Sequence, residues 1–446
     1  MGTGLGHFIP MLAYLVGVAA CFASLRRPDL GLYVLTVIMP YRTLRDHFLD
    51  FPLGGNVVTL LVLCVLLGAF IRGRRPPSCG LYVTWLVFGL YLYLSLWLGV
   101  AISNAPLPLW VNALNFANWK DYMLLPLVFL AAGMVVQDRK TVRNVIICAA
   151  IAVFLIDKSH LTSSLAHSWA HFDENKRDGG PLGFAGSNGL AAFLAQFSLF
   201  FWGFVQYIKR PRAKLVLYAL IGMTLIGVMY AFSRAGYIAV IAGVVLLGIL
   251  KDRKLIPIAI VFLAMWQAIV PTAVTERVNM THNQSGQLEA SAQERVDLWT
   301  NAEQVILANP IFGTGFATFQ LTDHVDNLKD THNWYVKVMI ETGIIGLAFA
   351  AALLFQLFRL SWQVFRGARD PLYKGLGLGL FLLYSCSFIL NCFGDRWTYL
   401  EINGLTWVLV GTAARVRILM ATDTEAATDL AETATPQNMP AHLAYR

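Results

Sequence analysis

The stretch Thr331-His332-Asn333-Trp334-Tyr335 runs straight into an apolar segment, Val336 to Phe349, that carries Glu341, Gly343 and Gly346. Read forward, it is where a long polar loop re-enters a membrane. It sets an imidazole at that boundary, where an enzyme acting on a lipid-borne substrate needs its chemistry. The reading requires the rest of the chain to supply a membrane, a side and partners for His332.

Composition supplies the membrane. Of 446 residues, 57% are hydrophobic and 13% charged, and the mean hydropathy is +0.59, whereas soluble chains carry about 25% charged residues. A crossing needs about 20 apolar residues. Runs of that kind lie near 8–25, 56–71, 80–102, 121–136, 141–156, 183–207, 213–231, 235–250, 254–270, 335–358 and 374–394. Two weaker ones, 29–41 and 397–414, bring the expected total to 12–13. The expected fold is therefore all-α, a polytopic transmembrane helical bundle with a large outer loop containing amphipathic helices. Tandem soluble domains are excluded, because the sizeable polar stretches are confined to 157–182, 271–334 and the C-terminal tail. The organisation reads as a bundle over 1–270 that includes loop 157–182, a loop over 271–334, further spans over 335–414, and a disordered tail over 415–446.

Alternating the loops and counting Lys and Arg gives orientation. One side holds 22 basic and 8 acidic residues, the other 12 basic and 18 acidic. The first is the cytoplasmic side, so His332 and both long loops face outward. The net charge of +8 reports topology and gives no reason to expect nucleic acid. All six cysteines, Cys21, Cys64, Cys79, Cys148, Cys386 and Cys392, fall in spans or on the cytoplasmic side, which leaves the outer loops without disulfides or thiolate metal sites. Val18-Ala19-Ala20-Cys21 loosely resembles a lipoprotein cleavage box, but no basic region precedes it, and the first span is expected to stay.

Within the long loop, Ser291-Ala292-Gln293-Glu294 fits a capping box, and a helix should run from there to Asn309, stopped by Pro310. Glu294, Asp297, Asn301 and Gln304 share one face; Arg295, Trp299, Ala302 and Ile306 share another. The helix should lie on the membrane surface with Arg295 near its N-terminus, where backbone N-H groups favour an anion. The bland alternative is a snorkelling Arg beside a Trp. Ser233-Arg234-Ala235-Gly236-Tyr237 fills a very short outer turn between two spans. An Arg at that depth is costly unless paired or wetted. A lipid pyrophosphate would satisfy it bidentately; an interfacial anchor or a pair with Glu341 would also do so. A third outward segment carries Lys176-Arg177-Asp178 into a Gly-rich approach, Gly183 to Ala191, with Asn188 inside it. Upstream, His160, His167 and His171 would align if 159–171 were helical, a pattern that suits either a metal or a wet interfacial helix.

Absences narrow the chemistry. The outer loops carry no Asp-x-Asp pair, phosphate-binding Gly loop or serine elbow, and Ser285-Gly286 has no such context. Thr281-His282-Asn283 repeats the tripeptide at 331–333 without a membrane re-entry behind it. Position, then, rather than the tripeptide, carries the signal.

In this order the motifs resemble the O-antigen ligase and O-antigen polymerase superfamily of bacterial envelope enzymes, and the type they are most similar to is the O-antigen ligase. The resemblance rests on Ser233-Arg234-Ala235-Gly236, on Arg295 and Trp299 ahead of Asn309-Pro310 and Gly313-Thr314-Gly315, and on His332-Asn333-Trp334-Tyr335 with Glu341-Thr342-Gly343 and Gly346. It covers roughly 177–350; the segment from Arg177 to Ala191 lacks the family's frequent Pro-Asn pair. The resemblance implies a glycosyltransferase of the inner membrane, active at its periplasmic face, that uses neither metal nor nucleotide cofactor. The implied donor is a glycan on undecaprenyl pyrophosphate, and the implied acceptor is a hydroxyl of lipid A-core. His332 is then the expected general base, since an imidazole of ordinary pKa, about 6.5, accepts a proton near neutrality. Arg234, Arg295 and Arg177 are the expected pyrophosphate ligands; Asn333, Ser233, Glu341 and Asn188 support them. Membrane lipids are the other expected partners. Alternative readings are a polymerase or protein-glycan ligase using the same donor, a multispan transporter, and a transferase using Asp46 or Asp50 in the first outer loop.

Overall fold

In the computed structural model, the described residues are 5–42, 57–109, 113–177, 179–280, 290–319 and 331–434. Asp46, Asp50, Asp178, Thr281-His282-Asn283 and Ser285-Gly286 lie outside them. The described residues are helical with no strand: α1 (Leu5–Arg26), α2 (Pro28–Ile38), α3 (Val57–Ile71), α4 (Gly80–Ser103), α5 (Leu114–Val135), α6 (Arg139–Leu165), α7 (Gly186–Val205), α8 (Pro211–Tyr230), α9 (Arg234–Leu250), α10 (Leu255–Ile269), α11 (Thr272–Asn279), α12 (Ala290–Ala308), α13 (Trp334–Gly367), α14 (Pro371–Leu390) and α15 (Leu400–Ala434). With no water in a bilayer core, helices satisfy every backbone group internally, which is why an apolar chain of this composition takes this form.

The chain is a multipass membrane protein. Among the described residues, seven helices are long and apolar enough to cross, or eight if α10 and α11, bent by 107° at their junction, count as one span. The 12–13 spans expected from hydropathy include segments that are too short. The 11 residues of α2 reach only about 16 Å, half of a hydrocarbon core of about 30 Å. Helices α3 and α9 also fall short of a full crossing, and in α5 the apolar run begins only after Lys120 and Asp121. Along α4, Val83, Leu86, Leu90 and Leu94 form an exposed apolar stripe, while Leu81, Trp85, Phe88, Leu92 and Leu96 are buried behind it. A helix apolar on both its buried and its exposed face is what a membrane span shows.

The spans pack α7 on α14, α5 on α15, α13 on α14 and α4 on α13, so early and late parts of the chain interleave. Small residues permit the closest approaches: a Cβ on Gly203 would lie 3.1 Å from the Gly379 backbone, as is usual where helices pack without a hydrophobic driving force. Helix α15 runs from Leu400 to Ala434, into the segment read as a tail from 415.

Helix α13 is broken, and the break shapes everything near His332. At Gly343 the backbone turns to φ 61°, ψ −167°, leaving two carbonyls and two N-H groups without helical partners. The segment after α12 takes them over. Thr314 N-H donates to the Ile340 carbonyl (2.9 Å) and Gly315 N-H to that of Glu341 (2.8 Å), while Ile344 N-H donates to the Pro310 carbonyl (3.0 Å) and Ile345 N-H to that of Ile311 (3.5 Å). Residues 313–316 are accordingly buried, with Phe316 N-H on the Ser95 hydroxyl of α4 (2.8 Å). Once the re-entering helix breaks, its exposed polar groups need a partner segment of backbone, and these residues supply it. A Cβ at Gly343 would sit on the Ile311 carbonyl. We expect Gly343→Ala to lower the detergent-solubilised melting temperature, since left-handed backbone alone costs a side chain about 1–2 kcal/mol. An unchanged melting curve would show that the break can relax.

Candidate active site

His332 is the apex of a tight turn. Its backbone is left-handed, φ 52°, a conformation that non-glycine residues adopt rarely and that clusters at functional sites. The turn is held from both sides. The Thr331 hydroxyl donates to the Asn333 carbonyl (2.8 Å) and accepts from Asn333 N-H (3.3 Å). The Asn333 side chain then caps α13 by accepting from Tyr335 N-H (3.0 Å) and Val336 N-H (3.3 Å). Phe232, in the turn between α8 and α9, and Ala317 are also left-handed non-glycines.

The helix carrying Arg295 is tied directly to this turn. Trp299 donates its indole N-H to the Thr331 carbonyl (2.9 Å), so Arg295 and His332 belong to one scaffold. Helix α12 begins within a residue of the expected Ser291 and ends at Ala308. Part of its apolar face packs on protein: Ala302 and Val305 are buried against Phe319 and against Ile340 of α13, with Val336 and Ile306 beside them. Arg295 is half-buried.

Below the turn, α13 lines a cavity of about 320 Å³ with Trp334, Lys337 and Glu341, faced by Lys120, Asp121 and Asp395. Lys337 Nζ pairs with Asp395 Oδ2 at 3.0 Å, their side chains 16% and 1% exposed. The second oxygen, Oδ1, accepts from Trp397 N-H (3.0 Å) and Thr398 N-H (2.9 Å), and the Thr398 hydroxyl donates to Oδ2 (2.6 Å). Burial alone would raise the Asp395 carboxyl, but Lys337 and the Thr398 hydrogen bonds outweigh it and hold it below the ordinary carboxylate value. On the far wall Arg42 pairs with Glu401 at 3.1 Å. The cavity thus interleaves cations and carboxylates, suited to a polar, charged ligand.

A second group lies around the α8–α9 turn. Ser233 is buried, Arg234 begins α9 and donates to the Met280 carbonyl (3.5 Å). Arg177 is more occupied than its expected phosphate role implies. Its side chain is 4% exposed and pairs with Glu174 at 2.5 Å; it also donates to Asn188 Oδ1 (2.9 Å) and the Ala231 carbonyl (3.1 Å). Burial lowers its pKa, and Glu174 opposes that shift. Arg177 therefore braces the Arg234 turn against the Asn188 helix start. Arg277, which sequence reading passed over, shares Glu174 at 3.6 Å and stacks on Phe172. Phe172 and Trp169 close over Phe232.

Residues 391–399 join the two groups. Asp395 holds Lys337, and the next residue, Arg396, brings its guanidinium within 3.8 Å of where a Cβ on Gly189 would stand, one residue from Asn188. Trp397 packs on Trp334 at 5.1 Å. Lys337, Asp395 and Arg396 were not singled out from sequence; the available signal was charge placed inside or between strong spans.

The aligned histidines do not form. Helix α6 ends at Leu165, His160 is buried against the Gly227 carbonyl (3.1 Å), and His171 pairs with Glu276 at 2.8 Å. The Phe172 N-H and His171 hold the Glu276 carboxyl below its usual value. Among the described residues no three His, Cys, Asp or Glu side chains gather as a metal site.

Comparison with known families adds one finding: residues 219–351 match the family model described as O-antigen ligase. The match spans Ser233, Arg234, Arg295, His332, Asn333 and Glu341, and stops short of Arg177, Asn188 and Asp395. No curated protein matches the chain.

Proposed function

Because residues 219–351 match the O-antigen ligase family model, we propose that this chain is an enzyme that transfers a glycan from undecaprenyl pyrophosphate to a hydroxyl of lipid A-core at the periplasmic face of the inner membrane. The observation that carries the reading is the Trp299–Thr331 hydrogen bond, which fixes the Arg295 helix against the His332 turn. It supports a base and a cation held on one rigid support, as positioned catalysis requires.

A glycosyl pyrophosphate brings its own leaving group, so three tasks remain: orientation, charge neutralisation and removal of the acceptor proton. His332 takes the proton as the acceptor oxygen forms its bond to the anomeric carbon. The bond from that carbon to the pyrophosphate oxygen breaks, and its electrons leave with undecaprenyl pyrophosphate. Arg234 and Arg295 neutralise the leaving group, with Arg177 acting through the turn that it braces. Asn333 sets the His332 turn by capping α13. A single displacement inverts the anomeric centre, and guanidinium groups stand where other transferases use a metal. The cavity beside Lys337 takes the polar part of a substrate.

The test is transfer in vitro from purified lipid-linked glycan, with and without EDTA. Transfer should persist in EDTA; its loss would overturn metal independence. Arg295→Lys keeps charge but loses the fork, and should slow turnover at least tenfold if phosphate binding is bidentate, the order of one charge-assisted hydrogen bond. Unchanged kinetics would leave Arg295 as a snorkelling anchor. Surface polysaccharide in a knockout separates acceptors: losing a ligase leaves unattached lipid-linked polymer, whereas losing a polymerase leaves single repeats.

A further inference from the structure

The end of the bundle opposite His332 holds a second cavity, about 440 Å³, lined by the start of α4, the far half of α13 and Arg417 of α15. Its walls are apolar over Leu81, Phe355 and Leu360, and its polar groups are Arg359, Arg417 and two glutamines; no carboxylate lines it. Phe355 is 66% exposed, so the cavity opens sideways, toward lipid. Arg359 lies about 24 Å along α13 from the break at Gly343, which brings it to the far headgroup layer.

The two arginines differ in availability. Arg417 is anchored, donating to the Ser78 carbonyl (2.9 Å) and to Gln363 (3.4 Å). Arg359 is exposed and makes no hydrogen bond or ion pair among the described residues. An anchored and an exposed guanidinium at the mouth of an apolar slot match a ligand with an anionic head and a hydrocarbon tail. Free phosphate would use the head of such a slot and leave the apolar walls unused.

We propose that this cavity binds an anionic phospholipid, its phosphate between Arg359 and Arg417 and an acyl chain over Leu81 and Phe355. The site is independent of the transfer reaction. The full chain, purified in detergent, is read by native mass spectrometry and thermal melting with phosphatidylglycerol or phosphatidylcholine added. Phosphatidylglycerol should be retained and raise the melting temperature, and phosphatidylcholine should do neither. Arg359→Gln should cut phosphatidylglycerol retention about fivefold, the attraction of roughly one basic residue at an acidic lipid surface. Arg210→Gln, an exposed arginine at the same end outside the cavity, should leave retention unchanged. Equal retention of both lipids, an equal fall in both variants, or reproduction of the stabilisation by inorganic phosphate alone would each overturn the assignment.

Discussion

His332→Ala, inserted in the membrane at the wild-type level, should transfer glycan about 10²–10⁴-fold more slowly, the usual contribution of a positioned general base. The side chain sits at the apex of a turn whose hydrogen bonds come from Thr331, Asn333 and Trp299, none of which needs the imidazole. Replacing it should therefore leave those hydrogen bonds in place. Asn333→Ala makes a useful contrast, since it removes the cap of α13 and should cost about 1 kcal/mol of stability together with activity. The measurement is initial transfer rate against melting temperature for both variants. His332→Ala with an undiminished rate would end its assignment as the base.

Asp395→Ala should be the most destabilising single change near the site. It removes the carboxylate that pairs with the Lys337 ammonium, 16% exposed, and breaking such a buried pair by removing one partner costs about 3–5 kcal/mol. Asp395→Asn should cost less, because an amide oxygen can still accept from Trp397 and Thr398 N-H. The pH dependence has a definite sign. The Asp395 carboxyl is depressed in the folded protein, so its stabilisation is complete above the unfolded value of about 3.9 and is lost as pH falls through the lower folded value. The melting temperature should show no step from this pair between pH 8 and 5, an acid step below about 4 in the wild type, and none in Asp395→Asn. Equal melting of wild type and Asp395→Ala would mean that Lys337 finds another partner.

Much of this architecture is readable in the chain because it is local. Hydropathy gives helices in a membrane, the Ser291 region gives α12 to within a residue, and the apolar run from 335 gives α13. What hydropathy cannot register is whether an apolar run crosses or stops: α2 and α9 read as spans and are short, and α10 turns through 107° into α11. Pairings across long sequence separations leave no periodic trace. Lys337 and Asp395 are 58 residues apart, and each alone looks like an interfacial charge. The three histidines failed for a related reason, since their alignment presumed a helix that ends at Leu165. Arg177 was legible as a cation on an outward segment, but whether its fork meets substrate or protein depends on Glu174, Asn188 and Ala231, which only the folded chain assembles.

The exchange of backbone bonds between residues 310–315 and 340–345 has a consequence for how this chain can vary. Most long-range contacts in a protein are made by side chains, and a damaging change at one partner can be relieved by a matching change at the other. Here both partners are main chain, and the glycines at 313 and 343 lie with their α-carbons against the opposing peptide groups. No second-site side chain can restore room that a Cβ has taken. Suppressor screens starting from Gly343→Ala should recover only true revertants at that position, whereas screens from Trp299→Phe, which loses a side-chain donor, have compensating routes open to them.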